Sequence, residues 1–163
     1  TIYTGAKFTR LYFKDCYIDG TTDFIFGPST ALFEDCIIHS KRNSYVTAAS
    51  TPKEAKYGYV FKHCKLTAEP GVDKVYLGRP WRPYAYTLFI ECELGKHIVS
   101  AGWHNWGKQS NEETARYMEY KNTGEGANAS ERVAWSKQLT KKEAEAVTVD
   151  AIFRTQSNWN PID

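Results

Sequence analysis

The sequence predicts an all-β solenoid, and three observations carry that reading. Four phenylalanine and cysteine pairs share one frame, Phe13 with Cys16, Phe33 with Cys36, Phe61 with Cys64 and Phe89 with Cys92, and the cysteines recur at spacings of 20, 28 and 28. Aligned on the cysteine, the copies read LYFKDCYI, ALFEDCII, YVFKHCKL and TLFIECEL, with a polar residue before every Cys and an aliphatic one two places after it. Each copy is a short aromatic and β-branched run with a polar interruption. Repeats of this length built from strands and turns bury their faces only by stacking coil on coil.

Within each copy the pattern predicts a strand, a tight bend at Asp15, Asp35, His63 or Glu91, and a second strand. Stacking would align the phenylalanines and cysteines as interior ladders. An even cysteine count raises the question of disulfides, but no two cysteines are close in sequence and no Cys-x-x-Cys pair offers a metal site. Reduced, buried thiols acting as small hydrophobes fit their place in the repeat. Equivalent positions in adjacent coils lie about 5 Å apart, close enough for neighbours to oxidise.

Residues 1 to about 100 hold the coils, and the remainder changes character. Gly102-Trp103-His104-Asn105-Trp106-Gly107 reads as an aromatic loop, and Ala115 to Lys121 as a strand before the turn at Gly124 and Gly126. Thr140-Lys141-Lys142-Glu143 is a capping box opening a short helix to about Val147, expected on the solenoid's flank. Asn158 to Pro161 carries no regular pattern. No low-complexity linker divides the chain, so residues 1–163 read as one domain.

Composition excludes more than it assigns. The 163 residues are 42% hydrophobic and 25% charged, enough for a continuous core. A net charge of +2 is too small to argue for nucleic acid. Five Trp and 11 Tyr in a polar chain favour flat ligands such as carbohydrate as much as core. No apolar run approaches the roughly 20 residues of a membrane span, and the start at Thr1 is neither a signal peptide nor an initiator methionine. The chain therefore reads as cut from something longer.

Two segments carry chemistry. Gly20-Thr21-Thr22-Asp23-Phe24-Ile25-Phe26-Gly27 surrounds one carboxylate with apolar neighbours. In a strand Asp23 and Ile25 share one face and Phe24 and Phe26 the other; the plainer alternative is that Asp23 caps a turn. Two repeats on, Val75-Tyr76-Leu77-Gly78-Arg79-Pro80-Trp81 sets a guanidinium between residues that fix the backbone. Stacked coils make such distant residues neighbours. Arg79 is then placed to clamp Asp23, keeping it ionised and oriented as nucleophile or base, or to form an inter-coil salt bridge with no catalytic part.

Gly20 to Gly27 and Leu77 to Trp81 together resemble the signature blocks of the pectin methylesterase (pectinesterase) family. The resemblance continues through Gly102 to Trp106, Tyr117 to Gly124 and Ser157-Asn158-Trp159, and so covers essentially the whole chain. It implies a right-handed parallel β-helix, truncated on its N-terminal side, with the chain forming the C-terminal half of the catalytic domain. By this resemblance Asp23 is the nucleophile that attacks the methyl ester carbonyl of a galacturonate unit, and Arg79 holds it. An attacking carboxylate divides ester hydrolysis into acyl-enzyme formation and hydrolysis by water. Tyr3, Phe26, Trp81 and Trp103 match positions lining the family's aromatic substrate cleft, where rings lie against sugar faces. No metal or organic cofactor is implied.

The departure is at Thr1. The family places Gln-Asp immediately before the segment matching Thr1-Ile2-Tyr3, and that Asp is its general acid and base. Neither residue stands in this sequence, so the 163-residue chain is expected to be impaired alone as an esterase. An opened solenoid also exposes unpaired backbone, and self-association through the N-terminal coil is expected. The expected partner is methylated homogalacturonan (pectin), with no nucleic acid and no membrane, in a secreted, extracellular or periplasmic setting.

Other features read plainly. His39, His63, His97 and His104 lack ligand spacing, and no G-x-S-x-G elbow suggests a serine esterase. Asn128-Ala129-Ser130 is a glycosylation sequon that matters only in a eukaryotic secretory setting. Lys41-Arg42 reads as a solvated turn. The competing function is an inactive pectin-binding β-helix or a polygalacturonate-cleaving enzyme; lyases of that kind commonly use Ca²⁺ and clustered acids, of which none stands near Arg79 in the sequence.

Overall fold

Each repeat closes into one coil of three short strands. In the computed structural model, which describes residues 1–154 and 158–162, the first coil holds β1 (Ile2–Tyr3), β2 (Arg10–Lys14) and β3 (Tyr17–Gly20). The second holds β4 (Ile25–Gly27), β5 (Thr30–Glu34) and β6 (Ile37–Ser40), and the third β7 (Tyr45–Ala49), β8 (Tyr59–Lys62) and β9 (Lys65–Ala68). The fourth holds β10 (Tyr76–Gly78), β11 (Tyr86–Ile90) and β12 (Glu93–Leu94). After it come α1 (Ser110–Thr114), β13 (Arg116–Tyr120), β14 (Lys137–Gln138), α2 (Lys141–Glu145) and α3 (Val149–Phe153).

Corresponding strands of successive coils pair in parallel and make three sheets, ordered β1-β4-β7-β10, β2-β5-β8-β11-β13-β14 and β3-β6-β9-β12. The fold is a parallel β-helix. Its register is the frame read from the sequence: Phe13 pairs with Phe33, Phe33 with Phe61 and Phe61 with Phe89. The rings stack nearly flat, with centroids 4.8, 4.5 and 4.4 Å apart. Burying each ring stabilises by roughly 1.5–3 kcal/mol, and stacking adds about 0.5–1.5 kcal/mol per pair. The cysteines form the parallel ladder as free thiols; Cys36, Cys64 and Cys92 are buried and Cys16, at the first coil, is partly exposed. A hydrogen bond with Cys64, and then burial, push the Cys36 thiol well up, so it remains a neutral core group.

The bends explain the polar residue before each cysteine. Asp15, Asp35, His63 and Glu91 take left-handed φ values of 54°, 54°, 53° and 50°. Their N–H groups donate to Glu34, Lys62, Ile90 and Tyr120 on the next coil, so the inter-coil ladder holds a conformation that costs free energy for a non-glycine residue. Lys121, at φ 46°, repeats the bend in a fifth, unforeseen copy, where Asn122 takes the cysteine's place and accepts from the Cys92 N–H (2.9 Å).

That fifth copy also ends the phenylalanine ladder. Glu119 pairs with Phe89 in register and is 2% exposed. Arg132 donates to both carboxylate oxygens, Nε to Oε2 at 2.9 Å and Nη2 to Oε1 at 3.2 Å, and its remaining donors reach the carbonyls of Val99, Ser100 and Gly126. Asn122 and Gln138 complete the cage.

The expected helix is α2, with Thr140 and Glu143 exchanging both hydrogen bonds of the capping box. It is followed by α3, whose Ile152 and Phe153 join Val147 against Leu32, Val60, Leu88 and Ile90 on the outer face of the central sheet. Helices α1 and α3 were not foreseen, since five-residue helices are too short to show periodicity. Ser157 lies outside the described residues. Asn128 of the sequon is exposed, with Ser130 donating to its Oδ1 through both N–H and hydroxyl. No helix among the described residues is long and apolar enough to cross a membrane.

His97 is a pH-sensitive element of this scaffold. It is buried, its Nε2 has no partner among the described residues, and burial, with a smaller push from His39, lowers its pKa from 6.5 to about 4. Because the folded value lies below the unfolded one, the unfolded chain binds the extra proton between those pH values, and stability is lost as pH falls through that window. Denaturant midpoints should drop between neutral pH and pH 4, and drop less in His97→Leu. Identical profiles for the two proteins would contradict this.

Candidate active site

The outer face of the first sheet carries the site. Tyr3 on β1 stands in register with Phe26 on β4, and Phe26 with Ala48 on β7. Gly78 on β10 pairs with Thr47, which sets Arg79 one step on, beside Ala48. Small Ala48 leaves a hollow, lined also by Thr22, Asp23, Phe26, Trp81 and Trp106.

Asp23 does not lie within a strand. It occupies the bend before β4, with φ 48° and its N–H donating to the Tyr45 carbonyl (2.9 Å). The strand alternation expected for this segment therefore fails: Phe24 and Ile25 are both fully buried, while Asp23 and Phe26 reach the outer surface. A bend resets the period of two that alternation needs. Among the described residues the carboxylate's hydrogen-bond partner is Arg79.

The two residues, 56 positions apart, form a bidentate pair. Arg79 Nε donates to Asp23 Oδ1 at 3.0 Å and Nη2 to Oδ2 at 2.7 Å. The fork fixes the carboxylate plane, and side-chain exposures of 18% for Asp23 and 20% for Arg79 leave the pair reachable from solvent. The guanidinium is itself sandwiched: its carbon lies 3.9 Å from the Tyr45 ring centroid and 3.7 Å from that of Trp106. Cation–π contact on both faces removes the rotamer freedom a surface arginine would otherwise keep.

The remaining cleft positions divide. Tyr3, Phe26 and Trp81 form an aromatic run beside Asp23, with centroids 5.1 Å apart for Tyr3 and Phe26 and 5.9 Å for Phe26 and Trp81. Trp103 is corrected: it is 1% exposed, bridged to Gly78 and stacked on Tyr117 at 4.3 Å, so it packs beneath the site and offers no cleft surface. The turn at Gly102, φ 73°, directs it inward, and the next turn, with Trp106 at φ 61°, returns the chain to the surface. Trp106 and Tyr45 are the aromatic residues that sequence reasoning missed. Trp106 stood in the same aromatic loop as Trp103, and only register told the two apart; Tyr45 had no local signal.

His104 braces the sandwich. Its Nδ1 accepts from the Trp106 N–H (3.0 Å), and its ring meets the edges of Tyr45 and Tyr76. Burial, and then the charge of Arg79, push its pKa below the usual histidine value, which keeps Nδ1 free to accept. Tyr117 lies fully buried below, its phenol pushed up by burial and then by the charge of Asp23. No group of three or more His, Cys, Asp or Glu among the described residues is arranged to hold a metal ion.

Gly78 makes the close approach possible. A Cβ there would stand 2.1 Å from Thr47 Oγ1 and 3.3 Å from Trp103. Gly78→Ala should therefore cost about 1–3 kcal/mol, as overpacking does, and displace the adjacent Arg79. A lowered melting temperature, partly restored by adding Thr47→Ala, is the expected result; an unchanged one would show that the contact yields freely.

Comparison with known proteins bears on the family and the fold. The Pectinesterase family model matches residues 1–156. Pectinesterase 31 of Arabidopsis thaliana is 45% identical over 136 residues, covering 83% of this chain and 43% of the relative. Among solved structures, pectin methylesterase from carrot superposes with a TM-score of 0.85 at 33% identity, covering 93% of this chain and 53% of that one. A pectin methylesterase in complex with hexasaccharide VII superposes with a TM-score of 0.80 at 29% identity, covering 93% and 52%. The chain thus spans about half the length of the relatives it matches. A family model matched across nearly the whole sequence, on the fold those structures share, places this chain in the pectinesterase family.

Proposed function

We propose that the protein containing this chain hydrolyses the methyl esters of polygalacturonate, releasing methanol, with Asp23 as nucleophile and Arg79 as the residue that positions it. The observation that carries the proposal is the bidentate pair seated in an aromatic cleft. The fork of Arg79 orients the carboxylate, and each oxygen keeps a further lone pair for the ester carbonyl. Attack would join Asp23 to the galacturonate acyl carbon and expel methoxide, which takes a proton as it leaves; water then cleaves the acyl-enzyme and returns the carboxylate. Proton transfer in both steps falls to a group other than Arg79, whose part is to hold the carboxylate. Tyr3, Phe26 and Trp81 would hold sugar faces around the scissile ester.

The substrate, a cell-wall polysaccharide, places the site of action outside the cytoplasm. The binding of an oligosaccharide by a structural relative supports a saccharide in this cleft. Product analysis tests the reading: a full-length catalytic domain carrying this chain should release methanol from methylated polygalacturonate without generating new reducing ends. New reducing ends without methanol would assign it to backbone cleavage, and neither product to a binding role.

A further inference from the structure

The four histidines of the chain stand in unlike surroundings. His39 lies against Glu69 (3.4 Å) and His63 against Glu91 (3.2 Å), so each has a carboxylate at hand to receive a positive charge. His97 is enclosed in the scaffold. His104 enters no ion pair among the described residues, and the charged group that acts on it is Arg79. A cation at His104 would therefore meet a cation. Tyr45 from β7 and Tyr76 from β10 face the imidazole with their rings, and Tyr45 also carries the Arg79 guanidinium at 3.9 Å. The nearby acids are engaged elsewhere: Asp23 accepts from Arg79, and Glu112 on α1 accepts from Asn105 Nδ2 at 2.8 Å.

Geometry fixes which form of His104 this arrangement accepts. A backbone N–H can only donate, so the 3.0 Å contact from Trp106 requires a bare Nδ1 and leaves the ring proton on Nε2. Trp106 depends on that bond, because φ 61° is a left-handed conformation that costs a bulky residue free energy. The rest of the loop is tied down by other means. The His104 N–H donates to the Gly78 carbonyl (3.1 Å), the Gly107 N–H to Asn105 Oδ1 (2.8 Å) and Asn111 Nδ2 to the Asn105 carbonyl (3.0 Å). Loss of the Nδ1 bond thus bears on Trp106, whose ring forms one face of the Arg79 sandwich at 3.7 Å.

We infer that His104 is a positioning residue that works only when neutral: a proton on Nδ1 releases Trp106 from Arg79, loosens the Asp23 carboxylate and slows the reaction without weakening the saccharide cleft. The inference deepens the esterase reading and rests on it for the reaction whose rate is set. A protonated Nδ1 turns a donor toward the Trp106 donor and puts a second positive charge against Tyr45. Because the bracing conformation disfavours the proton, the proton in turn favours the released one. Burial, and then the charge of Arg79, hold His104 below the usual histidine value, so the brace is intact at neutral pH and is lost as pH falls through that lowered value.

The test compares the full-length catalytic domain with its His104→Ala and His104→Asn variants, following methanol release and the backbone amides of ¹⁵N-labelled tryptophan between about pH 4.5 and pH 7.5. Asparagine accepts the same N–H two residues on through its Oδ1, and has no proton to gain. In the parent, kcat should fall in acid at the midpoint where the Trp106 amide resonance shifts, with KM steady within about twofold. His104→Ala should lower kcat roughly tenfold at neutral pH, as small misplacements at a reaction centre do. His104→Asn should recover most of that loss and keep both kcat and the Trp106 amide unchanged to lower pH than the parent does; if His104→Ala does not fold, this variant decides alone. An acid limb identical in His104→Asn and the parent, a parent Trp106 amide that ignores pH, or a loss expressed in KM and not kcat would each overturn the inference. A failure of the esterase reading is distinct: no methanol at any pH, with the Trp106 amide titrating in the parent and not in His104→Asn, upholds the hold of His104 on Trp106.

Discussion

Asp23→Asn, made in a full-length catalytic domain, should reduce methanol release from methylated polygalacturonate by at least about a thousandfold while leaving polysaccharide binding within a few-fold. The amide keeps the size of the carboxylate and is a far poorer nucleophile, and groups acting as a unit at a reaction centre lose most of their rate enhancement when one is removed. Retention of binding is expected because the rings of Tyr3, Phe26 and Trp81 are packed against one another and the isosteric amide leaves that packing in place. The amide also loses its charge partnership with Arg79, so that side chain relies more on Tyr45 and Trp106 to stay in place. Unchanged turnover would remove Asp23 from the chemistry altogether, and joint loss of binding and turnover would recast it as structural.

Arg132→Ala should produce the largest loss of stability. It leaves the Glu119 carboxylate, 2% exposed, without its charge partner at the end of the phenylalanine ladder, and also removes the guanidinium donors from the carbonyls of Ser100 and Gly126, while the Val99 carbonyl keeps the Gly102 N–H. Breaking a buried pair from one side costs about 3–5 kcal/mol, which for a domain of this size lowers the melting temperature by roughly 10 °C. Replacing both partners, Glu119→Phe with Arg132→Met, should recover a substantial part, because a phenylalanine opposite Phe89 extends the stack and no charge remains buried. Recovery stays incomplete while the carbonyls of Ser100 and Gly126 lack the guanidinium. A single Arg132→Ala that melts like the parent would show that water replaces the guanidinium without cost.

The scaffold was legible because its repeat is written in side chains that must stack. The Phe-x-x-Cys frame specified the register of the central sheet, and the polar residue before each cysteine marked a left-handed bend that only the inter-coil ladder sustains. Copy five escaped notice because Glu119 and Asn122 stand where phenylalanine and cysteine would be, a substitution that makes sense only as a terminal cap. At the site, Asp23 and Arg79 were singled out by their segments and by the stacking of coils, and a family resemblance supplied their proposed roles; topology explains why they meet, since both lie on the same outer face. Trp103 was misplaced and Trp106 passed over because the choice between core and cleft turns on two left-handed turns, at Gly102 and Trp106, in a loop with no periodicity. Tyr45 became part of the site only through the coil beside it, which no local pattern reveals.

The central claim is that Arg79 acts through Asp23. A double-mutant cycle on the rate of methanol release, with Asp23→Asn, Arg79→Ala and the two combined in the full-length domain, measures that coupling most directly. The double variant should be no slower than Asp23→Asn alone, because an arginine that serves only to orient the nucleophile has nothing left to orient. Losses that multiply would contradict the account, since Arg79 would then contribute to the reaction independently of the carboxylate it holds.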